Sequence, residues 1–235
     1  TSSASSLPIA ITMGDPAGIG PEILVRTLLD GDGNEDARGK KTATEHTRWI
    51  LVGAHWALEK GAETLSRALP PLHHIAAPDE AIPGWNLLDL GMPEPADFRL
   101  GQVQSACGDL AVQAVEWAAK RCLNGELAAM VTAPINKEAI HTAGYVNDIG
   151  HQEILARLAG VSQTATMLMT PGLRVVHLST HKSLAKAVEF VTAAQVLGKL
   201  HLIHDTLTQW GLAQPRIAVA ALNPHGGEGG LLGRE

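Results

Sequence analysis

Five short stretches of the 235-residue chain combine residue types that can bind anions, metals or a reacting hydroxyl. The first is Gly14-Asp15-Pro16-Ala17-Gly18-Ile19-Gly20-Pro21-Glu22. Its glycines permit a tight turn and close approach of a ligand to the backbone. Pro21 suits a first helical position and Glu22 a first turn, so an anion-binding helix start can follow. A plain strand-to-helix turn would read the same way. Asp15 is a candidate to contact substrate or orient ligands. The run is not a dinucleotide fingerprint, because Ile23 stands where the third glycine belongs, and it lacks the Gly-Lys-Ser/Thr of a P-loop.

The second stretch, Thr132-Ala133-Pro134-Ile135-Asn136-Lys137-Glu138, offers Lys137 as a point charge for a phosphate or carboxylate. A solvated lysine at a helix start is the plainer reading. The third, Gly150-His151-Gln152-Glu153, offers His151 as a ligand, a substrate contact or a general base, since an imidazole titrates near neutrality. A helix-start histidine of no special role is again the plainer alternative.

The chain has eleven histidines. His46, His55, His73 and His74 fall in polar or irregular stretches and read as surface. His201 and His204 share a helix face among Leu200, Leu202 and Ile203 and read as a partly buried structural pair. His177 and His181 resemble a metal-binding His-x-x-x-His pair, but their segment reads as a strand. Four strand residues span about 13 Å, too far for two bonds of about 2 Å to one metal. His177 therefore reads as core, whereas His181 follows the strand end in the fourth stretch, Ser179-Thr180-His181. The fifth, Leu222-Asn223-Pro224-His225-Gly226-Gly227-Glu228, places His225 similarly. Neighbouring strands lie roughly 5 Å apart, so His181 and His225 can converge, although a catalytic metal of the zinc type usually takes three protein ligands.

The elements that must position these residues are short apolar strands alternating with helices. Strands are expected at Leu7–Met13, Trp49–Gly53, Ala128–Thr132, Ala165–Met169, Leu173–Ser179 and Arg216–Leu222. The clearest helix covers 106–124, where Leu110, Ala114, Val115, Ala118, Cys122 and Leu123 repeat at helical spacing before Gly125. A second opens with Thr192 and Gln195 and runs to Trp210. Residues 1–6 form a polar tail, 30–48 a charged surface loop, and 65–103 are Pro-rich and unreadable. The class is α/β with a largely parallel sheet, in which ligands bind beyond the carboxyl ends of strands.

Hydrophobic residues make up 45% of the chain and charged residues 18%, a globular composition. With aromatics at 3%, the core falls to Ala, Val, Leu and Ile. A net charge of −6 without a Lys/Arg block argues against nucleic acid and anionic membranes as partners. No apolar run reaches the roughly 18 residues of a membrane span, and the first residues lack the pattern of a secretory signal. Cys107 and Cys122 lie about 22 Å apart along one helix, so they cannot bond to each other there. Two free thiols fit a cytoplasmic setting.

The segments GDPAGIGPE at 14–22, TAPINKEA at 132–139, GHQE at 150–153, STH at 179–181 and LNPHGGEGGLLGRE at 222–235, in this order, resemble the 4-hydroxythreonine-4-phosphate dehydrogenase family across essentially the whole chain. The resemblance implies a two-lobed α/β/α fold of the isocitrate and isopropylmalate dehydrogenase class, with 1–133 as a first lobe and 134–235 as a second. It implies a homodimer, NAD (or NADP) bound without a GxGxxG turn, and a divalent metal (zinc, cobalt or magnesium) held by three histidines. His181 and His225 match two of these ligands, and His151 and Gln152 match substrate contacts. The family usually has Thr where this chain has Gln152, which opens the choice of substrate.

The implied reaction is oxidation of 4-phosphohydroxy-L-threonine to a β-keto acid that decarboxylates to 3-amino-2-oxopropyl phosphate, in pyridoxal phosphate biosynthesis. Lys137 and His151 are the catalytic candidates. Related branches oxidise D-threonate or D-erythronate 4-phosphate, or a dihydrodiol. A metal-dependent hydrolase and an inactive fragment are the readings from other classes. Family members continue past Glu235 into a segment with the third histidine, further substrate contacts and much of the NAD site. The chain is therefore expected to represent the first two-thirds of a longer protein, with little activity by itself.

Overall fold

The computed structural model describes residues 7–30, 47–148, 150–180 and 182–234. The tail 1–6, nearly all of the charged stretch 30–48 with His46, and His181 lie outside the described residues. Two compact units divide the chain, Thr1–Ser162 and Gln163–Glu235.

The strands of the first unit are β1 (Ile9–Thr12), β2 (Arg48–Gly53), β3 (His73–His74), β4 (Gly84–Asp89) and β5 (Ala129–Thr132), of which β1, β2 and β5 are short, largely apolar runs. They form one fully parallel sheet in the order β3-β4-β2-β1-β5. Helices α1 (Gly20–Asp30), α2 (His55–Thr64) and α3 (Ser105–Leu123) supply the crossovers a parallel sheet requires. Alternation along the strands divides the core between two faces. Leu51 and Leu87 pack with Leu24, Val25 and Leu28 of α1 and Leu58 of α2. Ala10, Ile50, Val52 and Leu88 pack with Ala114 and Ala118 of α3 on the other face. At the strand starts, register partners Trp49 and Trp85 stack 5.6 Å apart.

Helix α3 is apolar on more than one side. Its alanines meet the sheet, while Val112 and Val115 pack against Ile140 of α4 (Lys137–Thr142) and Ile154 of α5 (His151–Ala159). The expected lobe boundary falls after Ala133; the division after Ser162 keeps α4 and α5 with α3 in the first unit. Helix α3 ends where its periodicity stops: Gly125, at φ +73°, donates its N–H to the Cys122 carbonyl. Cys107 and Cys122 are both free thiols on this helix.

The Pro-rich stretch contains β3, β4 and a 3-10 turn at Pro78–Glu80. Its later part is fastened by Trp56, whose Nε1 donates to the Met92 carbonyl and whose ring meets Phe98 edge-on.

The second unit has a two-stranded antiparallel hairpin, β6 (Met167–Thr170) and β7 (Leu173–Val176), followed by α6 (Leu184–Phe190) and α7 (Ala193–Gln209). Both strands overlap the expected ones, but β6 starts at Met167 and β7 ends at Val176, before the expected Ser179, which leaves His177 just past the strand. Their mutual antiparallel pairing follows from the two-residue Pro171-Gly172 turn, with Gly172 at φ +82°. Helix α7 is capped as expected, the Thr192 hydroxyl accepting the Gln195 N–H. Residues 216–222, read as a last strand, pair with no strand among the described residues. Val219 and Leu222 are exposed there. Leu207 is the sole buried hydrophobic residue among the described residues of this unit.

Candidate functional site

The strand order places the chain's change of direction at β1. The chain passes from β1 through α1 to β2 on one side, and from β4 through α3 to β5 on the other. The turns leaving β1 and β5 therefore meet at the switch point of the sheet, the usual ligand crevice of such folds. Two of the five motif segments are these turns.

The turn after β1 is built by close backbone approach. Gly14 takes φ +73°, and a Cβ there would overlap the Pro134 carbonyl oxygen of the β5 turn. A Cβ on Gly20 would overlap the Met13 carbonyl oxygen, so the helix start folds directly back on the strand end. The Asp15 N–H donates to Pro134 O at 3.0 Å, joining the two turns. Asp15 is 4% exposed, and its Oδ1 accepts the Ala17 N–H at 2.8 Å. Burial pushes its carboxyl above the usual range, partly offset by that hydrogen bond. Cys107, in the first turn of α3, borders the same pocket of charge. Burial, with the Asp15 and Asp97 carboxylates, pushes its thiol up to about 11, so it is an inert neighbour at neutral pH.

In the turn after β5, the Asn136 side chain caps α4 by accepting the Glu138 and Ala139 N–H groups. Lys137 is exposed, with no hydrogen bond or ion pair among the described residues. A Cβ built on Gly150 would lie 3.9 Å from Lys137 Cε and 3.6 Å from Glu153 Oε2. The lysine stem thus runs beside the turn that presents His151. His151 opens α5, is half-buried, and has its Nε2 shut from solvent without a partner among the described residues. Burial lowers its pKa, so the ring is neutral at neutral pH. A buried nitrogen of this kind normally has a partner, and a substrate group or a water fits the role. Gln152 follows, half-buried, on the same helix.

The first unit therefore brings Asp15, Lys137, His151 and Gln152 to the carboxyl side of its sheet. Sequence reasoning missed the ion-pair network behind them. Arg157 of α5 donates from Nε and Nη2 to both oxygens of Asp148, at 3.2 and 2.7 Å, and from Nη2 to Glu116 of α3 at 2.8 Å. The three residues lie nine and 41 apart in sequence, and no pattern announces the contact.

In the second unit, His225 sits in the Asn223-Pro224-His225-Gly226 turn. Its N–H donates to Asn223 Oδ1 at 3.0 Å. Its ring Nδ1 lies 2.8 Å from Glu228 Oε1. A carboxylate on one ring nitrogen fixes the tautomer and leaves Nε2 as a metal ligand, so the donor chemistry of this turn fits a divalent ion. Glu228 was missed, although its spacing three residues after His225 was visible. Among the described residues, no group of three His, Cys, Asp or Glu side chains is placed to hold a metal; His181 lies outside them.

The other histidines divide differently from expectation in two cases. His177, read as core, is half-exposed and lines an open cleft of about 500 Å³ with Val196, Leu200 and Val219. His201 and His204, read as partly buried, are exposed, because that face of α7 meets no other element among the described residues. His204 Nδ1 lies 3.2 Å from Asp205. His73 and His74 are on the surface, and His55 tilts against the His74 ring at 5.3 Å. No helix among the described residues is long and apolar enough to cross a membrane.

Residues 45–235 match the family described as pyridoxal phosphate biosynthetic protein PdxA. A D-threonate 4-phosphate dehydrogenase of Pectobacterium atrosepticum is 37% identical over 237 residues, covering 97% of this chain and 67% of the relative. A 4-hydroxythreonine-4-phosphate dehydrogenase of Geobacter metallireducens is 37% identical over 232 residues, covering 97% of this chain and 64% of the relative. The crystal structure of a 4-hydroxythreonine-4-phosphate dehydrogenase from Klebsiella pneumoniae superposes with a TM-score of 0.80 at 36% identity, over 99% of this chain and 67% of that one. The chain thus spans about two-thirds of the length of the curated relatives it matches, from 64% to 67% among the most similar.

Proposed function

The chain belongs to the PdxA family of pyridoxal phosphate biosynthetic proteins, and on that premise we propose that it carries the substrate-binding half of a metal-dependent, NAD-linked dehydrogenase for a phosphorylated four-carbon hydroxy acid. The observation that supports this most is the placement, beside one turn, of Lys137 and His151, with Lys137 and the buried His151 Nε2 both lacking a partner among the described residues. A cation without a partner among the described residues suits a phosphate or carboxylate. A neutral imidazole suits a hydroxyl, as hydrogen-bond acceptor or as base.

In this reading Lys137 binds the anionic end of the substrate, and His151 and Gln152 orient its hydroxyl. Asp15 stays buried at the joint of the two turns and sets their spacing. His225, steered by Glu228, is one metal ligand, and His181 is a second by family match. A bound divalent ion would supply Lewis acidity toward the hydroxyl, and a bound nicotinamide, NAD or NADP, the hydride acceptor. Zinc and cobalt suit imidazole ligands better than magnesium does. With 4-phosphohydroxy-L-threonine the product is a β-keto acid that loses carbon dioxide to give 3-amino-2-oxopropyl phosphate. A cytoplasmic homodimer completes the proposal.

A second substrate, D-threonate 4-phosphate, is favoured by the relatives so named at 37% to 38% identity. The two candidates differ at C2, an ammonium against a hydroxyl, and the Gln152 amide can both donate and accept there. The deciding experiment measures NADH formation from each compound, with and without a chelator, using both the 235-residue chain and the protein extended through the family's remaining third. Chelator-sensitive turnover by the extended protein is expected, with the preferred compound naming the branch. Turnover of neither compound, or hydrolysis without NAD, would sink the proposal.

A further inference from the structure

We propose that Arg157 is a positioning residue for the Gly150-His151 turn, acting through Asp148. The inference rests on the role given above to His151. The connection from α4 to α5 is tied to α3 at two points. Tyr145 Oη donates to Asp109 Oδ1 at 2.6 Å. The Asp148 carboxylate is gripped by both Nε and Nη2 of Arg157, and Nη2 also reaches Glu116 Oε1, whose other oxygen accepts Lys120 Nζ at 2.8 Å.

Asp148 lies two residues before Gly150, and the Gly150 carbonyl accepts the Ile154 N–H that begins α5. Arg157 lies on that same helix, six residues beyond His151. The helix therefore grips its own leader, and the angle at which His151 leaves the turn is fixed from both ends. The Asp148 side chain is 7% exposed, against 45% for Arg157. A carboxylate that deeply buried is costly unless it stays paired. The fork is essential to the geometry: a guanidinium holds both Asp148 oxygens and still reaches Glu116, which a lysine ammonium cannot do as a planar bidentate donor.

The network is separate from the groups nearest His151. Lys137 and Glu153 flank the Gly150 turn from α4 and α5, and Glu116 reaches it from α3 only through Arg157. Arg157→Ala loosens the turn and also deletes a positive charge, and both effects raise the His151 midpoint; Arg157→Lys keeps the charge and loses the fork, so it isolates the clamp.

The test follows the His151 ring by nitrogen-15 NMR of the 235-residue chain through a pH titration, with His151→Gln identifying the signal. In Arg157→Ala the midpoint is expected to rise toward the ordinary 6.5. In Arg157→Lys, which keeps the charge and loses the fork, it should fall between the two. A purely structural role would change the unfolding midpoint, and loss of charge alone would shift the His151 titration in Arg157→Ala but not in Arg157→Lys. An unchanged titration in folded Arg157→Ala, or a midpoint in folded Arg157→Lys equal to that of the unaltered chain, overturns the proposal. Should that variant fail to fold, Asp148→Asn keeps the shape and removes the charge: a raised midpoint supports the clamp and an unchanged one overturns it. A negative NADH experiment would count against the substrate reading and leave this result standing.

Discussion

Substituting Gly14 by alanine tests whether the β1 and β5 turns interlock as described. Among the described residues three glycines share φ +73°: Gly14, Gly101 and Gly125. A Cβ would meet nothing within 4 Å at Gly101 or Gly125, but would overlap the Pro134 carbonyl at Gly14. The two open positions therefore measure the conformational cost alone, about 1–2 kcal/mol for an L-residue held left-handed. At Gly14 the same cost applies, and the β5 turn must also retreat. That retreat breaks the 3.0 Å bond from the Asp15 N–H to Pro134. A buried donor left without a partner costs about 1–3 kcal/mol more. Gly14→Ala should thus destabilise the first unit by about 2–5 kcal/mol, clearly more than Gly101→Ala or Gly125→Ala. Urea unfolding followed by tryptophan fluorescence is a suitable assay, because Trp49, Trp56, Trp85 and Trp117 all lie in that unit. Equal destabilisation at all three positions, within about 0.5 kcal/mol, would refute the interlocking.

Lys137→Ala should weaken binding of a phosphorylated hydroxy acid about ten- to a hundred-fold, as loss of a hydrogen bond to a charged group does, while the urea midpoint stays put; calorimetric titration checks both. His151 is half-buried, and that burial holds its folded pKa below the 6.5 of the free ring. The unfolded chain therefore binds the proton first as pH falls, so this contribution is complete above 6.5 and is lost as pH drops toward the folded value. His151→Gln should flatten that part of the stability profile. Glu228→Gln should weaken zinc or cobalt binding about ten- to a hundred-fold by releasing the His225 ring, measured by metal titration against the parent chain.

Much of the first unit was legible from its residues. The strands at Ile9–Thr12, Arg48–Gly53 and Ala129–Thr132 are runs of aliphatic residues too short to form helices, and α3 carries a clean helical period. The stretch 65–103 was opaque because β3 is two exposed histidines, held as a strand only by β4 beside it. Residues 216–222 show the converse: their pattern suits a strand, yet a strand needs a neighbour to pair with, and pattern cannot supply one. The antiparallel hairpin of β6 and β7 was not read, although Thr170-Pro171-Gly172-Leu173 carries turn chemistry. In the candidate site, Asp15, Lys137 and His151 were visible through the turns that hold them. Asp148, Arg157 and Glu116 were not, because an ion pair across three elements leaves no periodic trace.

The uneven burial of the two units sets where the chain opens first. Amide protons in β1, β2 and β4, under two packed faces, should exchange with solvent only when the whole first unit unfolds. Those of β6 and β7, with exposed Leu168, Met169, Leu173 and Val175 along them, should exchange through local openings of low free energy. Proteases act on such openings. A brief digestion should therefore cut the second unit first and leave a resistant fragment ending near Ser162, with Asp15, Lys137 and His151 still held in register.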